Sequence, residues 1–253
     1  MPSGFAQAHW DSQALQKRMA LLVYLPPGYA KQPSKRYPTL YFLHGSGHDI
    51  QSVLREVQPE QHTGLLGAAI LVIPNGDQGW WLDSPVLPGS LYGRYLLELV
   101  EFVDHRYPTL PDRMARGICG FSMGGYGAMW MAAQQPEAFG AASSLLGPLD
   151  IVQMYPLYYR LSQLLGRDAT TWQQHSPAQW VAKLSRTMLK FCTGENAFDR
   201  SQNETFAAAL RSVGIGFEYE VYPGTHDADF VREHIGDHLL FHRRAFDHSV
   251  GGC

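Results

Sequence analysis

The chain has 253 residues, of which 45% are hydrophobic and 17% charged, and a formal net charge of −3. That is enough apolar material for a sizeable core, so a disordered chain is excluded. The slightly acidic balance leaves no broad basic surface for nucleic acid or anionic lipid.

Residues 1–10 lack the basic start and apolar stretch of a secretion signal, and the chain reads as cytoplasmic on that ground. In chain order, short β-rich runs predict strands at residues 19–25, 39–44, 69–73, 117–121, 141–146, 188–192 and 217–221. Helical periodicity predicts helices at residues 91–106, 123–134, 203–213 and 229–246. The longest apolar stretch, residues 64–73, is far too short to span a membrane. Strands alternating with helices imply an α/β fold, with a mainly parallel sheet of about eight strands covered on both faces. No repeat, low-complexity segment or Pro/Gly linker divides residues 1–253, so one domain is expected. Two segments interrupt the alternation. Residues 75–90 are rich in Gly, Pro and Trp and read as a long loop. Residues 149–186 carry Tyr155, Tyr158, Tyr159, Trp172 and Trp180 and read as a cap-like aromatic insert. Both would lie where the strands' carboxyl ends gather ligands.

The strongest local signal is Gly120-Phe121-Ser122-Met123-Gly124, a G-x-S-x-G that follows a predicted strand and opens a predicted helix. A serine on so tight a strand-to-helix turn needs small neighbours two residues to either side, which Gly120 and Gly124 supply. The turn lifts the Ser122 hydroxyl above the sheet and aims the helix N-terminus at it. Acyl transfer also needs amide donors for the oxyanion. The Met123 N–H, directly after the nucleophile, is one. The Ser46 N–H is the other, in Leu43-His44-Gly45-Ser46-Gly47, where an apolar strand runs into a glycine-rich turn.

A serine hydroxyl needs a histidine to take its proton and a carboxylate to orient that histidine, in the chain order Ser, acid, His. Of eleven histidines, His226 is placed correctly, on a loop between the last predicted strand and the last helix. The acid belongs after residues 188–192, where Asp199 and Glu195 both qualify and Asp199 is preferred. His44 is expected to hold its loop beside the substrate, and Trp80 and Trp81 to form part of the substrate wall. His234, His238 and His242 recur at helical spacing. They lack the Glu of a helical zinc-protease motif and read as a solvated helix face. His48, His175 and His248 have no supporting context. Cys119, Cys192 and Cys253 are too few and too scattered for a disulfide framework, and the first two read as core residues. Nothing in the chain calls for a metal or cofactor.

These residues resemble the putative-esterase family of the α/β-hydrolases, which includes S-formylglutathione hydrolases, feruloyl, acetylxylan and tributyrin esterases, and the antigen 85 mycolyltransferases. The likeness runs from about Arg18 to Phe246. It is carried by Tyr107-Pro108-Thr109-Leu110-Pro111-Asp112-Arg113, Gly120–Ala128, Pro136-Glu137-Ala138-Phe139-Gly140-Ala141, Trp80-Trp81-Leu82-Asp83-Ser84 and Pro223-Gly224-Thr225-His226-Asp227. The resemblance implies an α/β-hydrolase fold and a serine esterase acting on a small ester or thioester, with Ser122 and His226 in the catalytic roles. An acyltransferase using the same acyl-enzyme is the alternative. The chain departs from the family at the acid, where the usual Asp position is Ala197. Asp199 can serve only if the loop is two residues longer, and a binding protein that has lost its acid is the other rival. Oligomeric state and natural substrate are not legible in the sequence.

Overall fold

The computed structural model describes residue 2 and residues 4–250, so Cys253 lies outside the described residues. Among the described residues eight strands form one sheet: β1 (Phe5–Ser12), β2 (Lys17–Tyr24), β3 (Thr39–Leu43), β4 (Ile70–Pro74), β5 (Arg116–Phe121), β6 (Ala141–Leu145), β7 (Met188–Gly194) and β8 (Glu218–Tyr222). Their spatial order is β1-β2-β4-β3-β5-β6-β7-β8. β1 and β2 form an antiparallel hairpin, β2 runs antiparallel to β4, and the remaining pairs are parallel.

The helices are α1 (Ile50–Ser52), α2 (Thr63–Leu66), α3 (Tyr92–Arg106), α4 (Met123–Gln134), α5 (Tyr159–Leu165), α6 (Ala169–Gln174), α7 (Arg200–Ser212) and α8 (Ala228–Val250). The strands' two-residue periodicity sorts their side chains into two cores. Tyr41, Leu43, Val72 and Ile118 pack with Leu99 of α3, Met129 of α4 and Phe206 of α7. Leu40, Phe42, Leu71 and Cys119 pack on the opposite face with Val231, Ile235 and Leu239 of α8. This is the helix-on-both-faces α/β architecture expected from the alternation of elements.

β1 is absent from the sequence-based expectation. Its FAQAHWDS run is an edge strand with alternating, mostly incomplete burial, held by pairing from Phe5↔Tyr24 to Ser12↔Lys17. Its stability comes from that ladder, which apolar periodicity does not reveal. A second correction concerns α8. The face carrying His238 and His242 is buried against the sheet, whereas a solvated face was expected. His242 Nε2 lies 2.9 Å from Ser143 Oγ, and His238 Nε2 lies 3.3 Å from Cys192 Sγ. His242 fits because Gly117 beneath it has no side chain; a Cβ there would sit 2.4 Å from Nδ1. His234, one turn earlier, stacks on Tyr222 with ring centroids 4.0 Å apart.

The sheet order reverses direction at β3, whose sequence successor β4 lies on one side and β5 on the other. Ligands bind outside the carboxyl ends of strands at such a switch point. Here those ends carry the Gly45–Ser46 turn after β3 and Ser122 after β5. The register Leu43↔Gly120, Phe121↔Leu145 and Leu145↔Cys192 brings these ends level.

Candidate active site

Ser122 sits between β5 and α4 with φ 53° and ψ −121°, in the positive-φ region that a non-glycine residue avoids. Such a conformation costs of order 1–3 kcal/mol and persists only where the surroundings enforce it. They do so through backbone contact. The Ser122 N–H donates to the Leu145 carbonyl at 2.9 Å, and its carbonyl accepts from Tyr126 N–H at 3.0 Å. A Cβ on Gly124 would lie 2.0 Å from the Leu43 carbonyl oxygen, and one on Gly120 would lie 2.4 Å from the Gly124 oxygen. The two glycines therefore let β3, β5 and α4 close up beneath the serine. As the first helical residue, Met123 has no acceptor for its N–H within the helix, and the dipole of α4 points at the same place.

His226 lies after β8 and spans the distance to two elements. Its Nε2 is 2.8 Å from Ser122 Oγ, and its Nδ1 is 2.6 Å from Asp199 Oδ1. Asp199 is wholly buried, and its second oxygen accepts from Thr193 Oγ1 at 2.7 Å and Asn203 Nδ2 at 2.9 Å. Those donors satisfy a carboxylate that has no access to water. The loops bearing His226 and Asp199 follow adjacent parallel strands and are joined by backbone. Glu195 N–H donates to the Tyr222 carbonyl at 2.8 Å, and Asn196 N–H donates to that of Gly224 at 3.0 Å. Gly194 permits this, since a Cβ there would approach the Gly224 oxygen to 2.6 Å. Asp227 closes the other side by accepting from Phe230 N–H at 2.9 Å, at the start of α8.

Of the two acid candidates, only Asp199 meets the histidine; the Glu195 side chain is exposed. Ala197 occupies a turn, its N–H donating to the Gly194 carbonyl at 3.1 Å and its own carbonyl accepting from Arg200 N–H at 3.2 Å. This turn carries the chain two residues further before a carboxylate faces His226. The binding-protein rival loses its premise, because the carboxylate missing at position 197 is present at 199.

At the turn after β3, His44 is buried and makes two hydrogen bonds. Its Nδ1–H donates to the Gly45 carbonyl at 2.8 Å, and its Nε2 accepts from Gly76 N–H at 2.8 Å. Burial pushes its pKa down to about 4, so it is a neutral ring with a defined tautomer. The carbonyl it holds belongs to the same peptide as the Ser46 N–H. Ser46 Oγ donates to Gln78 Oε1 at 2.6 Å, while His48 Nδ1 lies 3.2 Å from the Ser46 carbonyl oxygen.

A cavity of about 350 Å³ opens at Ser122 and His226, walled by Ser46, His48, Phe121, Leu146, Tyr158 and Phe198. Trp80, Trp81 and His44, expected at the substrate wall, are not among its lining residues. Trp80 and Trp81 are buried, the first packed edge-on to Tyr126 and Tyr158 with centroids 5.4 and 5.3 Å away. Trp81 Nε1–H donates to the His44 carbonyl at 3.3 Å. They lie behind the wall because loop 75–90 folds inward over α4. A Cβ on Gly127 would meet Trp81 at 2.6 Å. Of the aromatics in the 149–186 insert, Tyr158 alone reaches the cavity; Trp172 is core, and Trp180 carries Lys183 over its ring. His48, Phe121, Leu146, Phe198 and Val231 were missed as wall residues. For His48 and Phe121 a signal existed, since both adjoin the two motif turns.

Among the described residues no group of three or more His, Cys, Asp or Glu is gathered to hold a metal, and no helix is long and apolar enough to cross a membrane. Compared with known proteins, the chain matches the putative-esterase family model over residues 12–241. It is 27% identical over 236 residues to Esterase Rv1288 of Mycobacterium tuberculosis, covering 81% of this chain and 51% of that one. The chain thus spans about half the length of the mycobacterial esterases it matches. It is 24% identical over 262 residues to an S-formylglutathione hydrolase of Paracoccus denitrificans, covering 92% and 90% of the two chains. In fold it superposes on a ferulic acid esterase with a TM-score of 0.84 at 23% identity, covering 96% and 98%. With a family match running through nearly every element that builds the site, the chain belongs to the putative-esterase family of the α/β-hydrolases.

Proposed function

We propose that this chain is a serine esterase that hydrolyses carboxylic esters or thioesters through an acyl-enzyme on Ser122. The observation that carries this reading is the continuous hydrogen-bonded path Ser122–His226–Asp199 at the floor of an open cavity. His226 takes the hydroxyl proton on Nε2 as Oγ attacks the acyl carbon, and Asp199 stabilises the imidazolium through Nδ1–H. The carbonyl oxygen becomes an oxyanion, for which the Met123 and Ser46 amides are the assigned donors. As the C–O or C–S bond breaks, His226 returns the proton to the leaving atom. A water molecule, deprotonated by the same nitrogen, then attacks the acyl-enzyme and releases the acid and Ser122.

Short acyl and aryl esters are the favoured substrates, and relatives named as an S-formylglutathione hydrolase and a ferulic acid esterase support including thioesters and aryl esters. Cys119 and Cys192 are free and buried, in keeping with a cytoplasmic setting. The test is hydrolysis of p-nitrophenyl acetate, butyrate and octanoate by wild type and Ser122→Ala. Loss of triad function lowers kcat on the order of 10⁶-fold in serine hydrolases of known mechanism. Near-normal turnover by the variant would refute the reading. An added acceptor alcohol, followed by product analysis, separates hydrolysis from acyl transfer.

A further inference from the structure

Beside the cavity at Ser122 lies a second hollow of about 300 Å³, lined by Met154, Leu157, Tyr158 and Phe198. The two hollows share Tyr158 and Phe198, so they lie side by side on either flank of these two rings. The second is almost wholly apolar, and two of its side chains are held open to solvent: Leu157 is 89% exposed and Phe198 55%, while Met154 is buried and Tyr158 half-buried. Leu157 is presented by a tight turn in which its own N–H and that of Tyr158 both donate to the Met154 carbonyl, at 2.8 and 3.2 Å. Arg160, three residues after Leu157, donates from Nε to the Gln78 carbonyl at 2.8 Å, which ties this part of the insert to the loop that also holds Ser46.

Phe198 decides which part of a substrate meets this hollow. Its ring stacks on that of His226 with centroids 4.3 Å apart. In the proposed reaction the leaving atom must approach His226 Nε2 to receive its proton, while the acyl oxygen points to the assigned amides of Ser46 and Met123. A substrate extending past His226 therefore runs over Phe198 with its alcohol or thiol half. Phe198 lies in the acid loop between Ala197 and Asp199, so the same extra two residues that carry the acid to His226 also place this ring.

Resting on the serine-esterase reading, we infer that the groove of Met154, Leu157, Tyr158 and Phe198 binds the leaving group, and that the preferred substrates are esters or thioesters of an apolar alkyl or aryl alcohol or thiol. Charged leaving groups find no charged side chain among these four residues, and the Tyr158 hydroxyl is the one polar side-chain group a sugar could meet.

Two ester series test this. In one, the acyl group is acetyl and the alcohol runs from methanol through butanol to hexanol; in the other, the alcohol is methanol and the acyl chain runs from acetyl to octanoyl. For wild type, kcat/KM is expected to rise about twofold per methylene of alcohol, half the roughly fourfold of full burial, because the groove covers one side of the chain. Leu157→Asp and Leu157→Ser should remove most of that rise, the first more completely. The acyl-series slope should stay at its wild-type value, and Val213→Ser, an exposed apolar residue at the end of α7, serves as the control for surface effects. If the Leu157 variants alter the acyl series instead, the groove holds the acyl chain and the inference is overturned. An unchanged alcohol slope in variants that still hydrolyse esters through Ser122 overturns it while leaving the esterase reading intact. A change in sedimentation mass with no change in slope makes the patch a contact between copies and overturns it equally. If wild type hydrolyses no member of either series, the esterase reading itself fails.

Discussion

The Asp199 carboxylate meets His226 Nδ1 at 2.6 Å from two positions beyond Ala197, and it does so as a fully buried group. A carboxylate displaced along its loop reaches the histidine only if the loop folds the surplus residues out of the way, and the turn from Gly194 to Ala197 does this.

Asp199→Asn should keep the fold and lower kcat by roughly 10⁴-fold, because an amide can hold the histidine in the wrong tautomer and cannot stabilise its charged form. Glu195→Gln should stay close to wild type. Kinetics on p-nitrophenyl butyrate with both variants would decide; the reverse pattern would move the acid to Glu195.

His44 supports the Gly45–Ser46 turn, which the proposed mechanism uses for the oxyanion, without lining the cavity. In His44→Ala the Gly45 carbonyl keeps only the longer bond from His48 N–H, at 3.2 Å, and the buried Gly76 N–H loses its acceptor, so stability should fall by about 1–3 kcal/mol. The Ser46 amide is no longer held at its angle, and displacement of one oxyanion donor costs about 10²–10³ in kcat. KM should change far less than kcat. An equal loss in both would point to general loosening of the site.

Gly124→Ala is expected to fail at the level of folding. Its Cβ would meet the Leu43 carbonyl oxygen at 2.0 Å, and neither β3 nor α4 can retreat without breaking the core beneath Ser122. Gly47→Ala offers a contrast. Its φ of 81° strains a side chain, but a Cβ there meets nothing within 4 Å. It should cost on the order of 1 kcal/mol. Soluble yield and circular dichroism of Gly124→Ala, beside a thermal melt of Gly47→Ala against wild type, check the two outcomes.

Stability should fall as pH drops below about 7. Burial lowers His44 to about 4 and His242 to about 3, and it holds His238 well below its ordinary value. In the unfolded chain all three protonate near 6.5. The unfolded state then binds more protons than the folded one, so the stability of the neutral buried rings is fully present above about 7. It declines from about 6.5 downward through the folded values. Each ring contributes a slope of up to about 1.4 kcal/mol per pH unit. Urea midpoints at pH 7.5, 6.5 and 5.5, above the range of ordinary carboxylates, should therefore decrease steadily. A flat profile would mean that these rings take up protons in place.

Much of the molecule is legible in sequence because local rules sufficed. The strand–turn–helix around Ser122 is dictated by glycines whose missing Cβ atoms are needed within a few residues. The central strands announce themselves by burial on both faces, and His226 by its place after the last of them. Other features depend on which elements pack together. β1 is stabilised by a ladder to β2 and buries little of its own. The α8 histidines look amphipathic and polar until Ser143 and Cys192 are placed opposite them. Trp80 and Trp81 look like a substrate wall until the loop folds them behind Tyr158 and α4. Most of all, a count of residues from Gly194 points to Ala197. The choice of Asp199 over Glu195 is made by the turn at 194–197 and the backbone pairing to Gly224, contacts between loops that only the parallel register of β7 and β8 brings side by side.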